Sequence, residues 1–226
     1  MRTKLPNNSY DAVMAINNKF SITLPNQTFF FLIACFLLNV SSFGEDATNY
    51  LNSGIKKGQE GDLNGAFADF STAIKLKPDY AEAYNERGLA TGAMAKNGGN
   101  IENYQASAVA DYTAAIQINP AFAPAYYNRG IAMQAGENWQ NAKTDFSKVV
   151  ELKPDLALLA QAFLHLGQLK QREGDNPGAA YFLSAAYYYR GISELRSGST
   201  NSALSDFGKA IELNPPFDQA YYDRGK

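Results

Sequence analysis

The hexapeptide AYYNRG, residues 125–130, decides the fold because variants of it recur along the chain. The variants read AYNERG at 83–88, AYYYRG at 186–191 and AYYDRG at 220–225. In each copy the glycine follows an aromatic residue by four positions, and Tyr50 and Gly54 form a fifth such pair. The step from Gly54 to Gly88 equals the step from Gly191 to Gly225. The sequence therefore predicts a repeated structural unit of constant length.

Each unit is predicted to contain two helices. The first stretch, for example YAEAYNERGLATGAM at 80–94, spaces apolar or small residues three and four apart, as an amphipathic helix does. Glycine inside a helix costs about 1 kcal/mol relative to alanine, so its recurrence predicts close approach of the neighbouring helix. We expect these glycines to face small residues of the second helix, namely Ala66, Ala142 and Ala203. The second stretch closes with a proline that stops it: Pro78, Pro120, Pro154 and Pro215.

The pattern resembles the tetratricopeptide repeat, in which an aromatic residue, a glycine, an alanine, a second aromatic and a closing proline follow one another. The second half reads GDLNGAFADFSTAIKLKP at 61–78 and GSTNSALSDFGKAIELNP at 198–215. The resemblance covers essentially all of 47–226 and implies an all-α fold, a right-handed superhelical solenoid of stacked helical hairpins. First helices would line its concave side. Within an array at 45–226 we expect units at about 47–80, 81–122, 123–156, 157–183 (degenerate), 184–217 and 218–226 (truncated).

The regular spacing of the repeated glycines is interrupted at two places. The step from Gly88 to Gly130 is longer than the regular one by eight positions, and the extra residues fall in AMAKNGGNIENYQAS at 93–107. We expect lengthened helices with a longer turn, either a neutral extension or a feature of functional use. The step from Gly130 to Gly191 falls short of two regular steps, because one unit lacks its closing segment. We therefore expect one long helix from about 177 to 197.

The N-terminus differs from the repeats. Its apolar run FFFLIACFLLNV at 29–40 follows Lys19 and precedes SSFGEDA at 41–47, the layout of a secretory signal. The run is shorter than the roughly 20 residues that a membrane-spanning helix needs. We expect residues 1–44 to be a signal peptide, with a mature chain that begins near Glu45. An uncleaved membrane anchor, or a lipoprotein signal around Cys35, stays open. Either way the protein would be secreted, periplasmic or held at the cell envelope.

Composition excludes several functions. The chain has 226 residues and a net charge of −2, with Lys and Arg scattered singly, so we expect no nucleic-acid partner. One Cys and one His are too few for a disulfide framework or the usual zinc sites, and we expect no metal and no cofactor. His165 lies among apolar residues and is expected to pack in a helix. With no nucleophile motif or phosphate loop, the sequence predicts no enzyme and no catalytic residue.

Tetratricopeptide arrays bind peptides in the concave groove, and the resemblance carries their contact positions onto this chain. The positions after the first aromatic and after the glycine give the groove candidates: Asn85, Leu89, Tyr127, Ile131, Tyr188, Ile192 and Tyr222. Tyrosine suits a binding surface, but the tyrosines are equally explained by packing between units. A clamp for a C-terminal carboxylate, known in co-chaperones, is disfavoured because Leu51 and Ile55 replace its polar residues.

An arginine precedes four of the glycines: Arg87, Arg129, Arg190 and Arg224. An aspartate recurs at a matching place on the second helices: Asp69, Asp111, Asp145 and Asp206. We expect each arginine to form a salt bridge with one of these aspartates, in its own unit or the preceding one. Free guanidinium groups would instead indicate anion binding. Trp139 is expected to pack between units.

The sequence thus predicts a non-catalytic, exported or envelope-associated scaffold that binds a protein or peptide partner. One alternative is a structural or regulatory subunit, or a fragment of a longer repeat protein, that self-associates as a homodimer through an uncapped C-terminal end. Membrane contact is expected only through residues 29–40, if they are not removed.

Overall fold

The computed structural model describes residues 46–96 and 101–225; for residues 96 and 101–104 it describes the backbone alone. This part of the chain is helical throughout, with no strand, and the all-α prediction is confirmed. Its helices are α1 (46–59), α2 (Leu63–Leu76), α3 (Ala81–Lys96), α4 (Ile101–Ile118), α5 (Ala123–Ala135), α6 (Trp139–Leu152), α7 (Leu156–Arg172), α8 (Asn176–Arg196), α9 (Thr200–Leu213) and α10 (Asp218–Arg224). The predicted signal peptide, with Cys35, lies outside the described residues.

Short polar residues start several of these helices. The Asp62 carboxylate accepts a hydrogen bond from the Gly65 amide at 2.9 Å, and Asp155 accepts from two amides at the start of α7. Such side chains satisfy amide groups that have no partner within the helix. At the other end, α2, α4, α6 and α9 each stop two residues before the proline that was expected to close them.

The helices pack as a linear series of hairpins. Each helix contacts the next one in the chain, and the first helices α3, α5 and α7 also contact one another in order. The interior is a chain of small apolar clusters, not one central core. This is the arrangement of a helical solenoid, in which each unit completes its neighbour's core.

The repeated glycines allow a ring to lie directly on the helix. A Cβ atom on Gly130 would lie 2.8 Å from Phe146 Cε1, and one on Gly88 would lie 2.6 Å from Tyr112 Cε1. The predicted close approach is therefore present, but the side chains of Ala66, Ala142 and Ala203 are not the ones nearest to the glycines, although the Ala203 carbonyl oxygen would lie 3.3 Å from a Cβ on Gly191. The nearest side chain belongs to the residue four positions later, one turn along the same face of the second helix, where an aromatic ring fills the space.

The long helix predicted for 177–197 is confirmed, since α8 runs without a break from Asn176 to Arg196. Its first half packs against α7, where a Cβ on Gly167 would lie 2.7 Å from Leu183 Cδ2. Its second half packs against α9, where a Cβ on Gly191 would lie 2.8 Å from Phe207 Cε1. One helix thus serves as the second helix of one hairpin and the first helix of the next. We call α7 and α8 the seam.

The second helix that follows the insertion is longer than its counterparts. α4 has 18 residues, whereas α2, α6 and α9 have 14 each. This agrees with the expected lengthening, and the turn at 97–100 lies outside the described residues. Within the described residues, no helix has the length and apolar character needed to cross a membrane.

Candidate functional site

Three of the four repeated arginines are bound to aspartates of their own hairpin. Arg129 donates from Nε and Nη2 to the two carboxylate oxygens of Asp145, both at 2.8 Å. Arg87 binds Asp111 in the same two-bond geometry, and the Nη2 atom of Arg190 lies 2.7 Å from Asp206 Oδ1. The ion-pair prediction is confirmed for these three. Their guanidinium groups hold two helices together and are not free to bind an anion.

The first and last members of the series differ. In α1 a serine takes the place of arginine, and Ser53 Oγ donates to Asp69 at 2.6 Å while Lys57 Nζ supplies the cation at 2.7 Å. The hydrogen bond between Lys57 and Asp69 raises the pKa of Lys57. Among the described residues, Arg224 makes no salt bridge with any of the repeated aspartates; its guanidinium carbon lies 5.4 Å from the Tyr221 ring. The ion-pair prediction is therefore wrong for Arg224.

At the seam the ion pair is replaced by an apolar contact. Leu166 precedes Gly167, and Phe182 follows Leu166 at the same sequence separation as Asp145 follows Arg129. Leu166 is buried, and Phe182 packs against the same cluster. An arginine–aspartate ion pair and an apolar leucine–phenylalanine pair can occupy this position, because each fills the space between two antiparallel helices.

The groove candidates that follow an aromatic residue connect one first helix to the next. Asn128 donates from Nδ2 to Asn85 Oδ1 at 2.9 Å, which joins α5 to α3. The Tyr127 hydroxyl lies 3.3 Å from His165 Nε2, which joins α5 to α7. Asn85 is only 2% exposed. These side chains therefore hold successive units in register.

Tyr188 makes the same kind of contact further along. Its hydroxyl donates to Asp223 Oδ2 at 2.9 Å, which joins α8 to α10, and its ring packs on Phe217 with centroids 4.9 Å apart. Burial, reinforced by this hydrogen bond, raises the pKa of Tyr188. The neighbouring Tyr189 stacks on Phe163 of α7 at 5.4 Å. Sequence reasoning left packing and binding open for this tyrosine cluster, and the structure gives these two rings packing contacts.

His165 is packed as expected. Its ring stacks on Phe146 with centroids 4.7 Å apart, and burial lowers the pKa of the imidazole. Its Nδ1 atom is buried and has no hydrogen-bond partner among the described residues. Both effects favour the neutral form of the ring, which packs α7 against α6. Trp139 also packs between units, since the Arg172 guanidinium of α7 lies 3.9 Å from its ring centroid.

The candidates that follow a glycine differ in exposure, and Ile131 packs partly against the cluster that contains Phe146. Leu89 is 41% exposed, and Ile131 and Ile192 are half-buried. Tyr222, on the short helix α10, is 63% exposed. Leu89, Ile131 and Ile192 occupy the same position on three first helices, α3, α5 and α8. We call these three residues the apolar row.

The described residues hold no group of three or more His, Cys, Asp and Glu side chains that could bind a metal ion. The paired arginines and aspartates of the repeat are engaged with one another. The site therefore offers apolar contact on a helical surface, with polar side chains beneath it that link neighbouring first helices.

Two segments match family models. Residues 59–94 match a model described as TPR repeat, and residues 124–155 match one described as tetratricopeptide repeat. No curated protein sequence matches the chain.

Several solved structures share the fold. MamA is 22% identical, with 78% of this chain and 96% of MamA covered and a TM-score of 0.52. YrrB, described as a TPR protein with an unusual peptide-binding site, is 20% identical, with 84% and 98% covered and a TM-score of 0.52. The first TPR of Spaghetti (RPAP3), bound to the HSP90 peptide SRMEEVD, is 22% identical, with 58% and 95% covered and a TM-score of 0.51. At these identities the likeness concerns the fold.

Proposed function

Because this chain belongs to the tetratricopeptide-repeat family, we propose that it is a non-catalytic scaffold that binds a protein or peptide partner along its first helices. The observation that carries the proposal is the apolar row. Leu89 is 41% exposed on α3, and its counterparts Ile131 and Ile192 are half-buried on α5 and α8. Apolar side chains at this position of α3, α5 and α8, with the exposed Gln168 at the corresponding position of α7, suit an extended or helical peptide.

The contacts beneath the row support this assignment. Asn85, Tyr127 and Tyr188 take part in polar contacts of 2.9–3.3 Å that link α3 to α5, α5 to α7 and α8 to α10. A surface fixed in this way loses little conformational entropy when a partner binds. Two structures that share the fold are described with a bound peptide or a peptide-binding site, which favours the same use here.

Site-specific cross-linking tests the proposal. A photoreactive amino acid placed at Leu89 of the full chain should form a covalent adduct with the partner in cells. Leu204, on the second helix α9, is also 41% exposed and provides the matched control. We expect a discrete adduct from position 89 and none from 204. Equal adducts from the two positions, or adducts from 204 alone, would contradict binding along the first helices.

We further propose that the protein is exported or associated with the cell envelope. The basis is the apolar run at 29–40, flanked by Lys19 and by small residues. Expression of the full chain followed by N-terminal sequencing of the purified protein tests this. A start near Glu45 would support cleavage, whereas recovery of the intact chain in the cytoplasm would contradict export.

Self-association is a second candidate, favoured by two adjacent aromatic residues on α10. Tyr221 is 44% exposed and Tyr222 is 63% exposed. Light scattering on the full chain and on a Tyr222→Asp variant tests it. A dimer that the substitution converts to a monomer would support this candidate, and a monomer in both cases would reject it at the concentrations used.

A further inference from the structure

The contact between α5 and α7 involves the single histidine of the chain. The His165 ring of α7 stacks on Phe146 of α6 with centroids 4.7 Å apart, and it meets the Tyr127 ring of α5 edge-on at 5.7 Å. Its Nε2 atom lies 3.3 Å from the Tyr127 hydroxyl. One side chain of α7 therefore contacts both helices of the preceding hairpin.

The same pair of positions joins first helices at two other places. Each link connects a residue three positions before a repeated glycine to a residue two positions before the corresponding glycine of the following first helix. The three links are Asn85 to Asn128, Tyr127 to His165 and Tyr188 to Asp223. Histidine is the side-chain type among these that ordinarily changes its charge between pH 5 and 8. The link between α5 and α7 is thus the one that a moderate change of pH can affect.

The surroundings of the His165 ring suit its neutral form. The Nδ1 atom is shielded from solvent and has no hydrogen-bond partner among the described residues. A charged imidazolium carries a proton on both nitrogens and needs two acceptors, whereas the Tyr127 oxygen can serve only Nε2. The face of Phe146 attracts a cation, but it offers no acceptor for Nδ1. Charging the ring in place therefore leaves a buried donor unsatisfied.

The described residues that face the ring supply no counter-charge. From α5 the titratable contact is the Tyr127 hydroxyl, and burial raises its pKa, so it stays neutral in this range. On α6, Asp145 precedes Phe146 but is bound by Arg129 through both carboxylate oxygens. Within α7 the residues one turn away, at positions 161, 162, 168 and 169, are uncharged. Burial accordingly lowers the pKa of His165 without a contribution from a charged neighbour.

We propose that the contact of Tyr127 with His165 is an acid-sensitive joint between α5 and α7. Uptake of a proton by His165 releases its ring from Tyr127 and Phe146, and α7 then moves away from α5 while each helix stays folded. In the released state the ring is solvated and has its ordinary affinity for a proton. Each pH unit below about 6.5 therefore favours the released state up to tenfold. The contact between α3 and α5, made by Asn128 and Asn85, should not respond.

Opening of the joint changes the surface that the proposed function assigns to partner binding, and this consequence rests on that function. Ile131 lies on α5, on one side of the joint, and Ile192 lies on α8, on the other side. A partner that contacts both residues requires a fixed spacing between them. It should therefore bind the closed joint and dissociate as the joint opens in acid.

A single spin label on α5 reads both of its contacts at once. The label is attached at the exposed position Ala135 of the full chain, and Cys35 is replaced by serine. The paramagnetic relaxation of the amide NMR signals of α3 and α7 is measured as the pH is lowered from about 7.5. The ring signals of His165 report its protonation directly, because the chain has one histidine.

The relaxation of the α7 amides should fall with the same midpoint as protonation of the ring, below about pH 6.5. The relaxation of the α3 amides should stay constant. His165→Gln cannot take up a proton but can still donate to the Tyr127 hydroxyl, so its α7 relaxation should not depend on pH. Glu82→Gln removes an exposed acidic group of α3 and should keep the wild-type response. If His165→Gln does not fold, the α3 amides of the wild type still provide the control.

Protonation of the ring without any change in α7 relaxation would overturn the proposal. Equal responses of α3 and α7, a wild-type response in His165→Gln, or a ring that stays neutral until the chain unfolds would overturn it as well. Because the measurement contains no partner, its result is independent of cross-linking at Leu89. A joint that opens without any adduct at 89 would reject the proposed function, and adducts at 89 with a joint that stays closed would reject this inference.

Discussion

The hairpin α5–α6 and the seam α7–α8 have the same geometry but different chemistry. In both, a glycine of the first helix faces a side chain of the second helix at the same sequence separation: Gly130 faces Phe146, and Gly167 faces Leu183. In α5–α6 the preceding residue is Arg129, which forms a salt bridge with Asp145. At the seam the corresponding residues, Leu166 and Phe182, pack in an apolar cluster.

The comparison shows which constraint the fold enforces. In both hairpins a glycine of the first helix lies against a side chain of the second helix, which lets the two antiparallel helices approach closely. The identity of the filling group varies, since a ring or a leucine can occupy the same space. The seam also differs in that its second helix continues into the next hairpin.

The largest expected effect comes from removing the group that lies on the glycine. Phe146 is 0% exposed, so Phe146→Ala should lower the free energy of unfolding by about 3–5 kcal/mol. Leu183 is half-buried, and Leu183→Ala should cost about 2 kcal/mol, at the low end for this substitution. Denaturation in urea measures both. A cost for Leu183→Ala equal to that for Phe146→Ala would show that the seam is packed as tightly as the regular hairpin.

The next effect concerns the ion pair. Asp145→Ala leaves the Arg129 guanidinium, with its side chain 20% exposed, without its counter-charge, and should cost about 3 kcal/mol. The double variant Arg129→Leu with Asp145→Phe copies Leu166 and Phe182 of the seam and should cost less than Asp145→Ala alone. A double variant less stable than the single one would mean that the two hairpins are not interchangeable at this position.

A surface pair provides the control for that experiment. Lys148 and Glu151 form an ion pair at 2.7 Å, but 69% of the glutamate side chain is exposed. Lys148→Ala should therefore change the urea midpoint too little to measure. A loss comparable to that of Asp145→Ala would indicate that burial does not decide the strength of these pairs.

Much of this architecture could be predicted from the sequence. The repeat period, the arginine–aspartate pairs and the fused helix α8 follow from spacing alone, because spacing fixes which residues share a helix face. The residue that faces each glycine could not be predicted in this way. Spacing favours Ala142 as the neighbour of Gly130, whereas the structure shows Phe146. Both residues lie on one face of α6, and only their packing distinguishes them.

The candidate site was harder to predict. The positions occupied by Asn85, Tyr127 and Tyr188 are surface positions in the repeat pattern, yet their side chains bind a neighbouring first helix. Each contact depends on a residue that lies a whole unit or more away in the sequence, which no local pattern reveals.

The smallest expected effect is a pH dependence specific to the contact between α5 and α7. Burial lowers the pKa of His165, so the folded protein favours the neutral ring. As pH falls below the ordinary value near 6.5, the unfolded chain takes up the proton first. The free energy of unfolding should therefore decrease more steeply between pH 7 and pH 5 in the wild type than in His165→Gln. Equal slopes would contradict a lowered pKa for His165 in the folded protein.

The continuity of α8 is the central claim about the seam, and a distance measurement tests it most directly. Spin labels replace the exposed residues Tyr181 and Leu195, which lie about four helical turns apart on nearly the same face, and Cys35 is replaced by serine. An unbroken helix places the two Cα atoms about 21 Å apart. Pulsed electron paramagnetic resonance should therefore report a single distance between the two labels, close to that value. A distance of about 10 Å, the spacing of two packed helices, would show a separate hairpin and contradict the shared helix.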